Sequence, residues 1–223
     1  MRKRIAEIQT RIAQSCARVG RNPADVRLVA VSKRHSEEAI REAYACGLRD
    51  FGENYAQELS AKASALADLQ DIRWHFIGPL QRNKAGLVVP HLRVIHSVHA
   101  AKLLKRIDHV ATARTDVLIQ INISEEATKS GAKEEELQEL LELAEQTTKV
   151  RCIGLMTIPP AAGGPESSRS VFRKLRILRD LHAAKYGTLE HLSMGMTGDL
   201  EVAIEEGATM VRIGTAIFGP RPT

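Results

Sequence analysis

Short runs of β-branched and aliphatic residues alternate along this chain with longer stretches in which apolar residues recur every three or four positions. The first pattern suits buried strands and the second suits amphipathic helices. Their alternation from end to end predicts a parallel sheet whose crossovers are helical. Eight strands are predicted: RLVAV (27–31), LRDFG (48–52), IRWHFIG (72–78), RVIHSV (93–98), DVLIQINI (116–123), VRCIGLM (150–156), LEHLSMG (189–195) and TMVRIG (209–214). Helical segments such as SEEAIREAYAC, KEEELQELLELAEQ and SVFRKLRILRDLHAAKY lie between them, and the helix after the last strand is absent or replaced.

Eight parallel strands in 223 residues predict an α/β fold, a single (β/α)8 TIM-type barrel of minimal size spanning residues 1–223. An extra amphipathic helix, marked by Ile5, Ile8, Ile12 and Val19, precedes the first strand. A doubly wound open sheet is the alternative. Its usual mark is a Gly-rich turn after the first strand, and that turn here reads SKRHS.

Composition narrows the function classes. The 43% hydrophobic content supports a sizeable core, and no Pro- or Ser-rich linker offers a place to divide the chain. Three cysteines, Cys16, Cys46 and Cys152, are too few and too scattered for a disulfide framework or a Cys-based zinc site, which fits a reducing cytoplasm. The opening MRKRIAEIQTRIAQSCARVG has the basic start of a signal peptide without its apolar centre, and no run reaches the roughly 18 apolar residues of a membrane span. The net charge of +5 raises the question of nucleic acid, but bases alternate with acids along the helices and aromatics are only 4% of the chain. A basic pocket for a phosphorylated small molecule accounts for the same surplus.

In such a barrel the chemistry gathers where the strands end. Lys33 follows strand one, GENY (52–55) strand two, and His75 with GPLQRNK (78–84) closes strand three. HSVH ends strand four, Asn122 and Ser124 strand five, and LMTIPP (155–160) strand six. SMGMTGD (193–199) follows strand seven, and RIGTAIFG (212–219) completes strand eight. A lysine sheltered at a strand end loses hydration, which favours a neutral, nucleophilic amine able to form a Schiff base with a carbonyl. The plainer reading of Lys33 is a side chain that reaches solvent or pairs with Glu53. SMGMTGD and RIGTAIFG offer hydroxyls and backbone amides that can cradle a phosphate, while Thr197 or Asp199 also suits a helix cap. Arg212, between apolar neighbours, is expected to point inward, where it needs either a barrel carboxylate or a ligand as its partner. An aldehyde-reactive lysine, a phosphate cradle and an inward arginine together describe pyridoxal phosphate, whose ring nitrogen proteins pair with Asp or Arg.

The motifs VAVSK, FGENY.QE, HFIGPLQRNK, GLMTIPP, LSMGMTGD and VRIGTAIFG, in order and spacing over nearly the whole chain, resemble the pyridoxal phosphate homeostasis proteins. That family consists of single-domain barrels related to the N-terminal domain of alanine racemase. The resemblance implies that Lys33 carries pyridoxal 5′-phosphate (PLP) covalently as N6-(pyridoxal phosphate)lysine. It implies that Ser193, Gly214 and Thr215 hold the phosphate, that Arg212 faces the ring nitrogen, and that Asn54 lies near the lysine and ring. His75 and Met194 look like lining residues. Read from the residues alone, His75 is equally a satisfied core histidine, and Asn54 equally a cap of the helix YAQELSAKASAL. The chain departs from the family pattern at RHS after the lysine and at SVH (97–99), where His99 replaces a frequent Asp.

A guanidinium does not readily yield its proton, so a ring nitrogen paired with Arg212 stays unprotonated and is a weak electron sink. Related racemases add a second domain and a tyrosine from a partner subunit, whereas this chain reads IFGPRPT straight after strand eight. The expectation is a cytoplasmic, monomeric carrier that stores, buffers or delivers PLP without turnover, with PLP-dependent apo-enzymes as the recipients. The rivals are a PLP-dependent amino-acid racemase using His75 or Tyr55 as base and a lysine aldolase on the same barrel.

Overall fold

The computed structural model of the protein describes residues 1–124, 130–160 and 163–220. Eight parallel strands close into a barrel in sequence order, with β1 (Arg27–Val31) bonded to both β2 (Asp50–Glu53) and β8 (Met210–Ile213). The other strands are β3 (Arg73–Phe76), β4 (Leu92–Val98), β5 (Thr115–Gln120), β6 (Val150–Met156) and β7 (His191–Ser193). Helix α1 (Arg2–Arg18) precedes the barrel. Around it lie α2 (Glu37–Ala45), α3 (Ala56–Ala65), α4 (Ala85–Val88), α5 (Ala101–Val110), α6 (Leu137–Gln146), α7 (Arg169–Ala183), α8 (Leu200–Glu205) and α9 (Thr215–Phe218).

Local chemistry explains where the elements stop. Helix α2 starts at Ser36, whose hydroxyl accepts the Ala39 N–H, with Glu37 and Glu38 at the positive end of the helix dipole. It ends at Gly47, whose φ of +99° is open to glycine, and the Leu48 N–H returns to the Ala43 carbonyl. That closure consumes the first residues of the predicted second strand, which starts at Asp50 instead of 48. The predicted seventh strand shortens to His191–Ser193, and beyond it Gly195, at φ +95°, turns the chain away once its carbonyl has accepted the Arg212 N–H of β8. After β8 the chain forms the four-residue α9 in place of a full helix.

Helix α1 buries Ile5, Ile8, Ile12 and Cys16 against α8 and α9, and burial of each isoleucine stabilises by about 1.5–3 kcal/mol. Cys16 takes the fourth apolar position that the sequence pattern assigns to Val19. Val19 lies past the end of the helix and is 41% exposed. Polar contacts complete the docking: Arg11 bonds Glu201 at 2.7 Å, and Arg21 donates to the carbonyls of Ile204 and Ala208.

The hydrophobic core proper lies between the barrel and its helices, where Phe51, Phe76, Leu104 and Phe172 are fully buried. The barrel interior is different in kind. One part is a small apolar cluster of Val94, Leu118, Ile153, Met156 and Met210. The other is polar, with Asp50, His75, His96, Ser193 and Arg212 all buried.

The short helix α8 is clamped to α7 through Glu206, a carboxylate nearly sealed from solvent that meets Arg169, Arg173 and Arg176 at 2.8–3.3 Å. Burial alone would raise its pKa, but Arg173 and Arg169 outweigh burial and hold it below the ordinary value. A depressed carboxylate pKa stabilises the fold above the unfolded pKa of about 4.3, and this contribution is lost as pH falls through the folded value. Glu206→Gln should therefore lower stability at pH 7 by about 1–2 kcal/mol, and the deficit relative to wild type should shrink below pH 4 in urea titrations. A deficit unchanged by acid would show that the three arginines do not act through the carboxylate charge.

Candidate functional site

The turn after β1 carries Lys33, and α3 holds the residues on either side of it. The Ser32 N–H continues the sheet by bonding the Gly52 carbonyl, and its hydroxyl donates to Glu53 Oε1 at 2.7 Å. From α3, Lys62 donates to the Ser32 carbonyl at 2.8 Å and also reaches Glu53 and Glu58, each at 2.7 Å. On the far side, Arg34 adopts φ +62°, the one non-glycine residue at positive φ among those described, and its N–H bonds Glu58 Oε1. The left-handed conformation costs about 1–2 kcal/mol, which the bond from Arg34 and the Lys62 bridge offset. Glu53, considered from sequence as a partner of Lys33, is bonded to Lys62 and Ser32. Burial raises the pKa of Glu53, against the opposing pull of Lys62 and Ser32.

Lys33 is half-buried and faces a cavity of about 280 Å³ at the C-terminal mouth of the barrel. Of the eight residues expected from sequence, Lys33, Asn54, Arg212, Gly214 and Thr215 line it. Arg212 is 4% exposed and projects inward, donating from Nη1 to Ser193 Oγ at 2.6 Å and from Nη2 to the Thr157 carbonyl at 3.0 Å. Burial presses its pKa down to about 10, with Asp199 pulling the other way, so the guanidinium stays charged at neutral pH. Asn54 does not cap α3, whose cap position is Tyr55. Its Oδ1 is buried without a hydrogen-bond partner, a costly state that a ligand donor would relieve. Gly214 lets the end of β8 lie close to β1, since a Cβ there would stand 3.3 Å from the Val31 carbonyl oxygen.

His75, Ser193 and Met194 are fully buried and do not form the cavity wall. His75 lies 2.9 Å from Asp50 through Nε2 and 2.8 Å from His96 through Nδ1, a histidine satisfied inside the barrel. Ser193 and Met194 fall behind the wall because the outward turn at Gly195 delivers the next residues, Met196, Thr197 and Gly198, to the cavity. A Cβ on Gly195 would come within 2.5 Å of Ala203 Cβ. The loop is pinned on three sides: Asp199 Oδ1 accepts the Met196 N–H at 2.6 Å, Ser168 donates to Asp199 Oδ2, and Arg11 of α1 donates to the Thr197 carbonyl at 2.9 Å. Asp199 therefore occupies the cap position of α8 while its side chain serves the loop.

Sequence reasoning missed Thr197 as a wall residue. The segment SMGMTGD reads both as a phosphate cradle and as a helix cap, but among its residues Ser193 and Met194, not Thr197, are the ones expected at the site; a hydroxyl just beyond a glycine turn was the available signal. It also left open the departure RHS. His35 lines the cavity and stacks on Phe218 with ring centroids 4.9 Å apart, and the Arg34 guanidinium lies 5.9 Å from the Tyr55 ring. His99 lies outside the mouth, its Nδ1 3.0 Å from the Ser97 carbonyl. Among the described residues no His, Cys, Asp or Glu group is arranged to hold a metal ion, and no helix is long and apolar enough to cross a membrane.

Residues 5–222 match the family described as alanine racemase, N-terminal domain. The chain is 46% identical over 223 residues to the pyridoxal phosphate homeostasis protein of Aquifex aeolicus, covering 98% of this chain and 97% of that one. It superimposes on an unknown protein from Bifidobacterium adolescentis with a TM-score of 0.92 at 35% identity, over 97% and 93% of the two chains. It also superimposes on PipY of Synechococcus elongatus with PLP bound, with a TM-score of 0.82 at 37% identity, over 93% of this chain and all of that one.

Gly78 packs directly on the backbone that presents Asn54: a Cβ there would lie 2.3 Å from the Asn54 carbonyl oxygen and 2.7 Å from its Cα. Gly78→Ala must push the GENY turn aside, and it should lower unfolding free energy by about 1–3 kcal/mol, read as an earlier denaturant midpoint at unchanged m. Unaltered stability would mean that the turn moves without cost.

Proposed function

The chain belongs to the alanine racemase N-terminal domain family and, within it, to the pyridoxal phosphate homeostasis proteins, and on that premise we propose that it holds PLP at the barrel mouth. It is a PLP-binding protein that acts in the homeostasis of this cofactor. The observation that carries the reading is the convergence of Lys33, Arg212, Thr197 and Thr215 on one cavity.

The residues fit the group. When bound, its aldehyde condenses with a primary amine, forming a C=N bond with loss of one water and no change in oxidation state. Lys33 is the amine at the wall, and we assign it the covalent attachment. Thr197, Gly198, Gly214 and Thr215 supply hydroxyls and close backbone for the phosphate, in keeping with the general use of loops seven and eight in such barrels. With the group bound, Arg212 would face the ring nitrogen, and the buried, unpartnered Oδ1 of Asn54 would accept a ligand donor. Ser193, Met194 and His75 act from behind the wall, Ser193 through its bond to Arg212.

The carrier reading follows from what the wall residues can do with protons. A guanidinium with a pKa of about 10 remains a donor at neutral pH, so the ring nitrogen stays unprotonated and stabilises a carbanion poorly. Racemisation also needs an acid and a base on opposite faces of the bound group. Of the two bases considered from sequence, His75 is bonded to Asp50 and His96 inside the barrel, and Tyr55 is 47% exposed and outside the cavity wall. The protein therefore stores or delivers the cofactor without turning over an amino acid.

Two measurements test this. Purified protein incubated with PLP and reduced with borohydride should carry the label on the peptide containing Lys33, and Lys33→Ala should abolish fixation with the fold intact. Full labelling of the variant would move the attachment to another lysine. Thr215→Val should weaken PLP binding by about 1–3 kcal/mol if its hydroxyl makes a buried hydrogen bond to the phosphate. An unchanged dissociation constant would take Thr215 out of the site.

A further inference from the structure

The polar half of the barrel interior is one continuous train. Arg212 Nη1 lies 2.6 Å from Ser193 Oγ, Ser193 Oγ 2.7 Å from His96 Nδ1, His96 Nε2 2.8 Å from His75 Nδ1, and His75 Nε2 2.9 Å from Asp50 Oδ1. It runs from the wall of the cavity to the first residue of β2, at the opposite end of the strands, where Arg73 chelates Asp50 at 2.6–2.9 Å and Arg27 stands 3.8 Å away.

The direction of every hydrogen bond in this train is determined by its ends. A guanidinium only donates and a carboxylate only accepts. Burial would raise the Asp50 pKa, but His75 and Arg73 more than offset it, so Asp50 is ionised and His75 Nε2 must carry the proton that faces it. Burial lowers the pKa of both histidines, and His96 is depressed further by His75 and Arg212, so both rings are neutral. A neutral ring protonated on Nε2 accepts at Nδ1, which makes His96 Nε2 the donor to His75. His96 Nδ1 then accepts from the Ser193 hydroxyl, and Ser193 Oγ receives Arg212. The opposite sense would set an unprotonated His75 nitrogen against a carboxylate.

We propose that His96 and His75 are positioning residues for the cofactor: with Ser193 and Asp50 they form a one-way train of hydrogen bonds that aims the Arg212 guanidinium at the bound ring. The assignment rests on the reading of the mouth as a PLP site. Its physical advantage is separation. A carboxylate in contact with Arg212 would capture the guanidinium and repel an anionic ligand, whereas here the carboxylate of the train, Asp50, lies four hydrogen bonds away, and Asp199 acts on Arg212 through space. Neutral groups hold Arg212 by two of its five N–H donors, at Ser193 and at the Thr157 carbonyl, and leave the others for the ligand.

The test uses the full chain and three readouts. Long-range ¹H–¹⁵N correlation spectra of the ligand-free protein should show both rings as neutral Nε2–H tautomers. Either ring found as Nδ1–H or doubly protonated overturns the train. Ser193→Ala and His96→Leu should raise the PLP dissociation constant about tenfold and shift the absorption maximum of the bound cofactor, while borohydride still labels Lys33. Variants that fold as wild type by circular dichroism yet keep its affinity and spectrum also overturn it. Should His96→Leu fail to fold, Ser193→Ala, which removes a single oxygen, decides the matter. If wild type itself binds no PLP, the reading of the mouth fails and this assignment falls with it, an outcome distinct from failure of the variants alone.

Discussion

A positive charge that cannot be given up, enclosed inside a β-barrel, is the constraint around which this molecule is arranged. Arg212 retains its proton even when burial brings its pKa down to about 10, and a buried guanidinium without acceptors is unsustainable. The interior must therefore be polar on that side, and Ser193, His96, His75 and the Thr157 carbonyl fill it in place of the aliphatic layers that occupy the rest. Each of these groups is a satisfied member of a network, the condition under which buried polar atoms cease to be a liability.

The mouth follows a second rule: two of the turns in its wall are held by charged or polar groups from neighbouring helices. Lys62 of α3 holds the Lys33 turn through the Ser32 carbonyl and Glu53. Arg11 of α1 and Asp199 at the start of α8 hold the Thr197 turn. These contacts are half-buried to buried, so they are screened less by salt than surface pairs and can keep a short loop in one geometry. The N-terminal helix, an addition to the barrel plan, thus reaches the site through Arg11 as well as covering an apolar seam.

The order and type of the elements were legible because they depend on local periodicity. The runs at 27–31 and 150–156 are strands to the residue, and the barrel follows from strand number and the need for helical crossovers. Strand ends were less legible where a backbone turn decided them, as at Gly47 and Gly195, since the same glycine can sit in a strand or reverse the chain. HSVH was legible as a polar strand end, but His96 within it carried no role, because an imidazole in an apolar run looks alike whether it is isolated or bonded at both nitrogens.

By itself the sequence determined the barrel, the added helix, the lysine at the end of the first strand and the inward arginine, all of which follow from spacing and from the cost of burying charge. Only the tertiary structure decided which of two neighbours faces the cavity. Thr197 lines the wall and Ser193 stands behind it, because Gly195 packs against Ala203 at a distance no other residue allows and so fixes where the chain turns. It also decided that Glu53 answers to Lys62 and His75 to Asp50 and His96, since partners 9 to 25 residues apart are joined by strand register and helix docking, which local pattern does not encode.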